Sequence, residues 1–218
     1  MLRRILLPLP SDRRPERFAR CVGGLAMFGL GITLFIAARL GVAPWDALHL
    51  GLSDLSGIPT GIVIEITGVF VLLLWLPLRQ RLGWGTLLNA IEIGLVVLIL
   101  EPILPQPEHM ILRIAYMVAG LASVGFGSAA YIGAGLGAGP RDGLMLGLAQ
   151  RGISVRLART AIEITVLLAG WALGGTIGIG TAVFTFGIGP VVQFFLPRLR
   201  LPDLGAAEAA LSTGSATA

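Results

Sequence analysis

The sequence predicts an all-α polytopic membrane protein: six transmembrane helices in two inverted three-helix repeats, each with a short non-spanning Pro-x-Asp helix. Three observations carry that prediction. Charged residues make up only 13% of the 218 and hydrophobic residues 55%, whereas soluble domains carry about 25% charge. Apolar runs near twenty residues recur, the length that crosses a hydrocarbon core about 30 Å thick. Finally, the stretch Gly41-Val42-Ala43-Pro44-Trp45-Asp46 returns as Gly137-Ala138-Gly139-Pro140-Arg141-Asp142, and both copies run on to a Leu-x-Leu-Gly-Leu ending.

The elements follow in order. Residues 1–18 hold Arg3, Arg4, Arg13, Arg14 and Arg17 among prolines and read as a cytoplasmic tail. The apolar segment behind them is too long for a signal-peptide core and lacks a small-x-small cleavage site, so it reads as an uncleaved first span over 19–39. The Pro-x-Asp stretch at 42–56 is too short to span. Span two covers 59–77, opening at Pro59, where proline suits a first helical turn. Span three covers 85–104 and closes at Pro102 and Pro105, completing a first membrane repeat of residues 19–104. A polar external loop, 105–110, carries Glu108 and His109. The second repeat, 111–197, holds span four (111–134), the second Pro-x-Asp stretch (138–152), span five (156–174) and span six (181–197). Residues 198–218 read as a disordered cytoplasmic tail, rich in Ala, Ser and Thr near its end.

Arginine placement sets the orientation. All sixteen basic residues are arginine. With the N-terminus inside, only Arg39 and Arg113 fall on the outer side, a strong positive-inside bias that puts both termini in the cytoplasm. The absence of lysine excludes a Walker-A loop and a Schiff-base lysine. One cysteine, Cys21, excludes an internal disulfide and a thiolate cluster, and two histidines make a poor metal site. No cofactor motif and no metal-ligand spacing occurs. The excess of basic charge lies in loops between spans, which argues against nucleic acid and for the lipid bilayer as the partner.

The repeat reaches beyond the motif. Residues 24–52 and 120–148 share fifteen identities in twenty-nine positions, Ile64-Glu65-Ile66-Thr67 returns as Ile162-Glu163-Ile164-Thr165, and Gly83-x-Gly85-Thr86 returns as Gly178-x-Gly180-Thr181. Three spans per half is an odd number, so the second half must sit upside-down relative to the first, as in many transporters. Gly-x-Ala-Pro-Trp-Asp-x-Leu-His-x-Gly-Leu, with Gly139-Pro140-Arg141-Asp142-Gly143-Leu144-Met145, resembles the YczE/YyaS/YitT-type bacterial integral membrane proteins over residues 20–197. The resemblance implies a bacterial inner-membrane protein and brings no catalytic or substrate residues with it.

Four carboxylates stand out. Pro44 and Pro140 suit the first turn of a short helix, which sets Asp46 and Asp142 near its positive end. Each aspartate either caps its helix or binds a solute, ion or proton. In the first copy Asp46, His49 and Ser53 share one face. His49 reads as an outward-facing interfacial histidine, Trp45 as an interface anchor, and Arg141 as snorkelling to the cytoplasm. Gly135, Gly139, Gly143 and Gly147 suggest a packing seam that Pro140 interrupts. Glu65 and Glu163 lie inside spans, where a charge costs roughly 2.5–3.5 kcal/mol and marks function unless a partner is at hand. Arg39 could partner Glu65, and Arg159 could partner Glu163. Asn89 and Glu92 make a polar patch on span three that Phe184 and Gly187 replace in span six. Gly41 and Gly137, with the two prolines and Arg141, read as structural parts of the motif.

Neither the Tyr-Asp and Gly-x-Gly-Asp pair of aspartyl intramembrane proteases nor a rhomboid-type Gly-x-Ser-Gly with histidine is present, so an enzyme is not expected. The expected function is a small-solute or ion transporter or channel, with Asp46, Asp142, Glu65, Glu163, Asn89 and Glu92 along its pathway. The alternative is a non-transporting scaffold or assembly partner for another protein. A homo-oligomer is compatible with both.

Overall fold

The computed structural model describes residues 6–10 and 12–202. Among these residues there are eight helices and no strand: α1 (Arg14–Ala38), α2 (Pro44–Ser56), α3 (Thr60–Leu78), α4 (Trp84–Leu100), α5 (Met110–Gly133), α6 (Pro140–Ala149), α7 (Val155–Ala172) and α8 (Ile179–Leu199). Four of them, α1, α3, α5 and α8, are long and apolar enough to cross a membrane. Helix α4 is apolar but has 17 residues, and α7 carries Arg156, Arg159 and Glu163. Outward-facing Phe70, Leu76, Ile111, Leu168, Phe186 and Phe194 leave the bundle with an apolar exterior, as lipid contact requires.

Helix ends follow local chemistry. Proline stands at the first turn of α1, α2 and α6. At α4 and α8 the hydroxyls of Thr86 and Thr181 accept the Gly83 and Gly178 amides at 3.0 and 3.2 Å, which explains the repeated Gly-x-Gly-Thr.

The core is α1 against α5. Gly24 lies against Gly127 and Tyr131, Gly31 against Gly120 and Val124, and the Ser123 hydroxyl donates to the Met27 carbonyl at 2.6 Å. Numbers rise along one helix as they fall along the other, so the two duplicated helices run antiparallel. Small residues on both sides let the backbones approach closely. Around this axis the contacts come in matched pairs: α4 packs on α1 as α8 packs on α5, and α2 packs on α7 as α6 packs on α3. One pair is unmatched. Helices α3 and α4 pack together, whereas α7 and α8 make no comparable contact.

Individual bonds repeat the pattern. The Arg17 guanidinium donates to the Ala134 carbonyl at 2.9 Å, and Arg113 donates to the Ala38 carbonyl at 2.8 Å. The Gly85 amide donates to Leu136 and the Gly180 amide to Leu40. The loop before each Pro-x-Asp helix is thereby pinned to the far half. Gly41 and Gly137 stand at those crossings with φ of +99° and +119°, and a Cβ on Gly41 would come within 2.4 Å of the Gly178 nitrogen. Only glycine adopts that backbone easily, and only glycine leaves room.

Two expectations need correction. Helix α1 begins at Arg14, so the expected N-terminal tail is partly helical and Arg17 is buried in the bundle; its ion pair with Asp12 at 2.9 Å and its bonds to the Ala134 and Pro202 carbonyls offset the desolvation. Likewise α8 continues to Leu199, and Leu201 is buried with its amide on the Gly133 carbonyl, so the C-terminal tail starts later than residue 198. The remainder of the expected disordered tail, from residue 203, lies outside the described residues.

Candidate functional site

Helices α2 and α6 begin at Pro44 and Pro140, so their second residues are Trp45 and Arg141 and their third are Asp46 and Asp142. The Trp75 indole N–H donates to the Pro140 carbonyl at 2.8 Å and fixes the start of α6 on α3. Its ring lies where a side chain on Gly143 would go, and Leu78 does the same at Gly147. The interrupted glycine seam is thus a docking surface for α3.

Both helix starts open onto one cavity of about 310 Å³ between the halves. Asp46, Asp142, Asn89 and Glu163 all stand in its wall. So do Trp45 and Arg141, and the Arg141 guanidinium carbon lies 4.7 Å from the centre of the Trp45 ring. This overturns two readings: Trp45 is buried rather than anchored at an interface, and Arg141 reaches inward rather than to the cytoplasm. Residues at the same position of the two repeats meet because that position lies close to the axis relating the halves. A guanidinium over an indole face gains a cation–π attraction that strengthens as water is removed.

The aspartates differ in their partners. Neither makes a side-chain cap to its own helix. Asp142 Oδ2 accepts the Tyr131 hydroxyl at 2.8 Å. Asp46 is 4% exposed and stands 3.5 Å from His49 Nδ1. Among the described residues one Asp46 oxygen, the Trp45 Nε1 and both His49 nitrogens have no hydrogen bond. His49 is fully buried, against the expectation of an outward-facing residue. Burial pushes it below the usual imidazole range, and the Asp46 carboxylate pulls the other way. Of these residues Trp45 and Asp46 stand in the cavity wall and His49 lies behind it; buried polar groups without a hydrogen bond are costly.

Glu163 accepts from Arg159 Nε at 2.9 Å, the local pair the spacing suggested, and both side chains line the cavity. Glu65 is placed elsewhere: it packs against Gly94 on α4, outside the wall, and forms no ion pair with Arg39. Glu92 also lies outside the wall, while its neighbour Asn89 lies in it.

Sequence reasoning missed Tyr131 and Gln193, and named Arg159 only as a partner of Glu163; all three line the cavity. Tyr131 had a signal. Its counterpart in the first repeat is Phe35, which packs edge-on against Phe184, so the hydroxyl is the one feature the second copy adds there. The remaining wall is largely apolar, with Phe28, Ile64, Val71, Ile93, Val124 and Phe184, and adds the hydroxyls of Thr67 and Ser128. A mostly apolar cavity with a few polar groups fits a small-molecule site.

Comparison with known proteins agrees with the membrane character of this chain. Residues 15–197 match the model of a family of unknown function (DUF6198). An uncharacterized protein of Haemophilus influenzae is 42% identical over 182 residues, covering 83% of this chain and 84% of that protein. The uncharacterized membrane protein YczE of Bacillus subtilis is 35% identical over 80% of this chain and 83% of its own length. The protein YyaS of the same organism is 28% identical over 80% and 89%. No solved structure matches.

Proposed function

Because the chain belongs to this YczE/YyaS-type family and is a multi-pass membrane protein, we propose that it is a small-solute or ion transporter built from two inverted three-span halves. Its pathway runs through the cavity between them. The observation that carries this reading is the meeting of Asp46 and Asp142, one from each half, in a single cavity. A scaffold would have each carboxylate satisfied where it stands, whereas the contact of Asp46 Oδ1 with His49 Nδ1 is a long one, 3.5 Å. The antiparallel run of α1 and α5 supports inversion, since equivalent helices point in opposite directions. Six crossings then require α4 and α7 to span as well, α7 with Arg159 and Glu163 in the cavity wall and Arg156 near its start. Broken backbone ahead of α2 and α6 lies inside protein, the setting in which irregular structure is tolerated at membrane depth. In this reading the protein sits in the inner membrane with both termini in the cytoplasm and makes or breaks no bond.

The test is uptake by purified protein in liposomes, screened over inorganic cations, amines and small metabolites with and without a proton gradient. Uptake is expected for at least one class, and Asp46→Asn or Asp142→Asn should cut it at least tenfold while the protein remains folded in detergent. Wild-type flux in both variants would leave the aspartates without a role in the pathway.

A further inference from the structure

We infer that the cavity takes a monovalent organic cation with an apolar body and admits it sideways from the bilayer, through a gap between α7 and α8. This rests on the transport reading for its purpose and on separate observations for its content.

The first observation is the unmatched helix pair. In the first half α3 and α4 close because Gly61 faces Gly94: a Cβ on Gly61 would meet the Gly94 carbonyl at 2.3 Å, and one on Gly94 would meet the Gly61 carbonyl at 2.4 Å. By the repeat offsets their counterparts are Arg159 and Gly189. Gly189 still has no side chain, yet nothing lies within 4 Å of the place a Cβ would take. The bulk of Arg159, drawn to Glu163, replaces the glycine that would have let α7 approach. Gly189 is the eleventh of the 21 residues of α8, so the gap falls near the middle of a helix long enough to span. Both Gly189 and Arg159 line the cavity, which makes the gap continuous with it.

The second observation is charge. Asp46, Asp142 and Glu163 face Arg141 and Arg159 across the wall. With all five charged, three negative groups against two positive ones leave one negative charge in excess, and Arg159 and Glu163 already neutralise each other. One added positive charge balances the site. The third observation is the apolar share of the wall, with Phe28, Val124 and Ile188 among its residues. A hydrated metal ion has no use for such a wall, whereas an alkyl or aryl body does. A compound of this kind partitions into lipid, so an opening at mid-bilayer depth meets it where it is concentrated.

The test uses wild-type protein in nanodiscs of neutral phosphatidylcholine, with empty discs as the partition control. Calorimetry would compare hexylammonium, hexanoate, hexanol and methylammonium. Hexylammonium is expected to bind at least tenfold tighter than the other three, and Asp46→Asn and Asp142→Asn to weaken it at least tenfold. Binding of hexanoate as tight as that of hexylammonium would overturn the inference and make Arg141 an anion site. For the gap, a spin label on Gly189→Cys is expected to collide with oxygen far more than with a water-soluble nickel chelate, and to change on adding hexylammonium. Cys21 is fully buried and takes no label. A label on Phe186→Cys, 80% exposed on the outer face, is the lipid reference and should not change. Nickel-dominated collisions at 189 would overturn lateral entry, and so would protection from both reagents, which would mean that a second copy covers the gap. The two readings fail separately. Binding without any flux sinks transport and keeps the site; flux of small cations without preference for hexylammonium sinks the site and keeps transport.

Discussion

At the scale of single residues, the two crossing glycines make the sharpest prediction. Gly41→Ala and Gly137→Ala each force an L-residue into a left-handed backbone, costing about 1–3 kcal/mol, and also drive a methyl into Gly178 or Gly83. Gly57 has φ +72° but open space around it, so Gly57→Ala should cost only the backbone strain, about 1 kcal/mol. Thermal unfolding in detergent should rank Gly41→Ala and Gly137→Ala well below Gly57→Ala; equal melting temperatures would show that the loop-to-helix crossings are slack. Arg17→Lys keeps the charge but loses the fork that reaches both Ala134 and Pro202. It should destabilise by about 1–3 kcal/mol through carbonyls left unpaired. The repeat made the crossing glycines and prolines legible in the sequence. It could not show that Trp45 and Arg141 touch, because equal positions in a duplication meet only if the axis passes between them. His49 was misread for a related reason: a polar residue on a short helix reads as wet until the partner that covers it is known.

At the scale of elements, the contact of α6 on α3 is where sequence pattern and packing separate. Four glycines at four-residue spacing suggest a seam, yet Gly135 falls in a turn, Gly139 lies against Tyr131 and Asn89, and only Gly143 and Gly147 receive side chains of α3, Trp75 and Leu78. Gly143→Ala would put a methyl within 1.9 Å of the Trp75 ring. It should therefore be strongly destabilising alone, and much of that cost should vanish in a Trp75→Leu background, a coupling that a double-mutant cycle on thermal stability would measure. Additive effects would mean that Trp75 yields easily. Helix boundaries were readable to within a few residues, because Pro, Gly and the capping threonines punctuate them. The largest miss was the start of α1, at Arg14 where residue 19 was expected, and there the signal was tertiary: Arg17 reaches the Ala134 carbonyl, more than a hundred residues away.

At the scale of the whole molecule, the all-helical membrane class was plain from composition, while the closed α3–α4 seam and the open α7–α8 gap were not. Glu65 and Glu163 share a repeated tetrapeptide, and what separates them is the residue four positions earlier, Gly61 in one half and Arg159 in the other. Glu65 lies half-buried against Gly94 of α4, whereas Glu163 stands in the cavity wall beside Arg159. The proposed six-span, inverted arrangement makes a direct prediction. Cysteine accessibility at positions 80, 107, 150 and 205 should read inside, outside, inside and inside. An inside reading at 107 would remove both the span count and the inversion.

The reciprocal bonds of Arg17 and Arg113 have a further consequence. An exchange in which position i of one half holds position j of the other, and j holds i in return, is what an isologous interface between two identical subunits makes. Each half is therefore dressed as a protomer, and the linker of residues 101–109 serves only to tether the pair. Cut there, fragments 1–106 and 107–218 expressed together should find each other in the bilayer and purify as one species, while either alone should lack the carbonyls and amides that cap its helix ends. If the halves are inverted as proposed, the tether also fixes a matter that two separate genes would have to settle by charge: that one copy inserts pointing out for every copy that inserts pointing in.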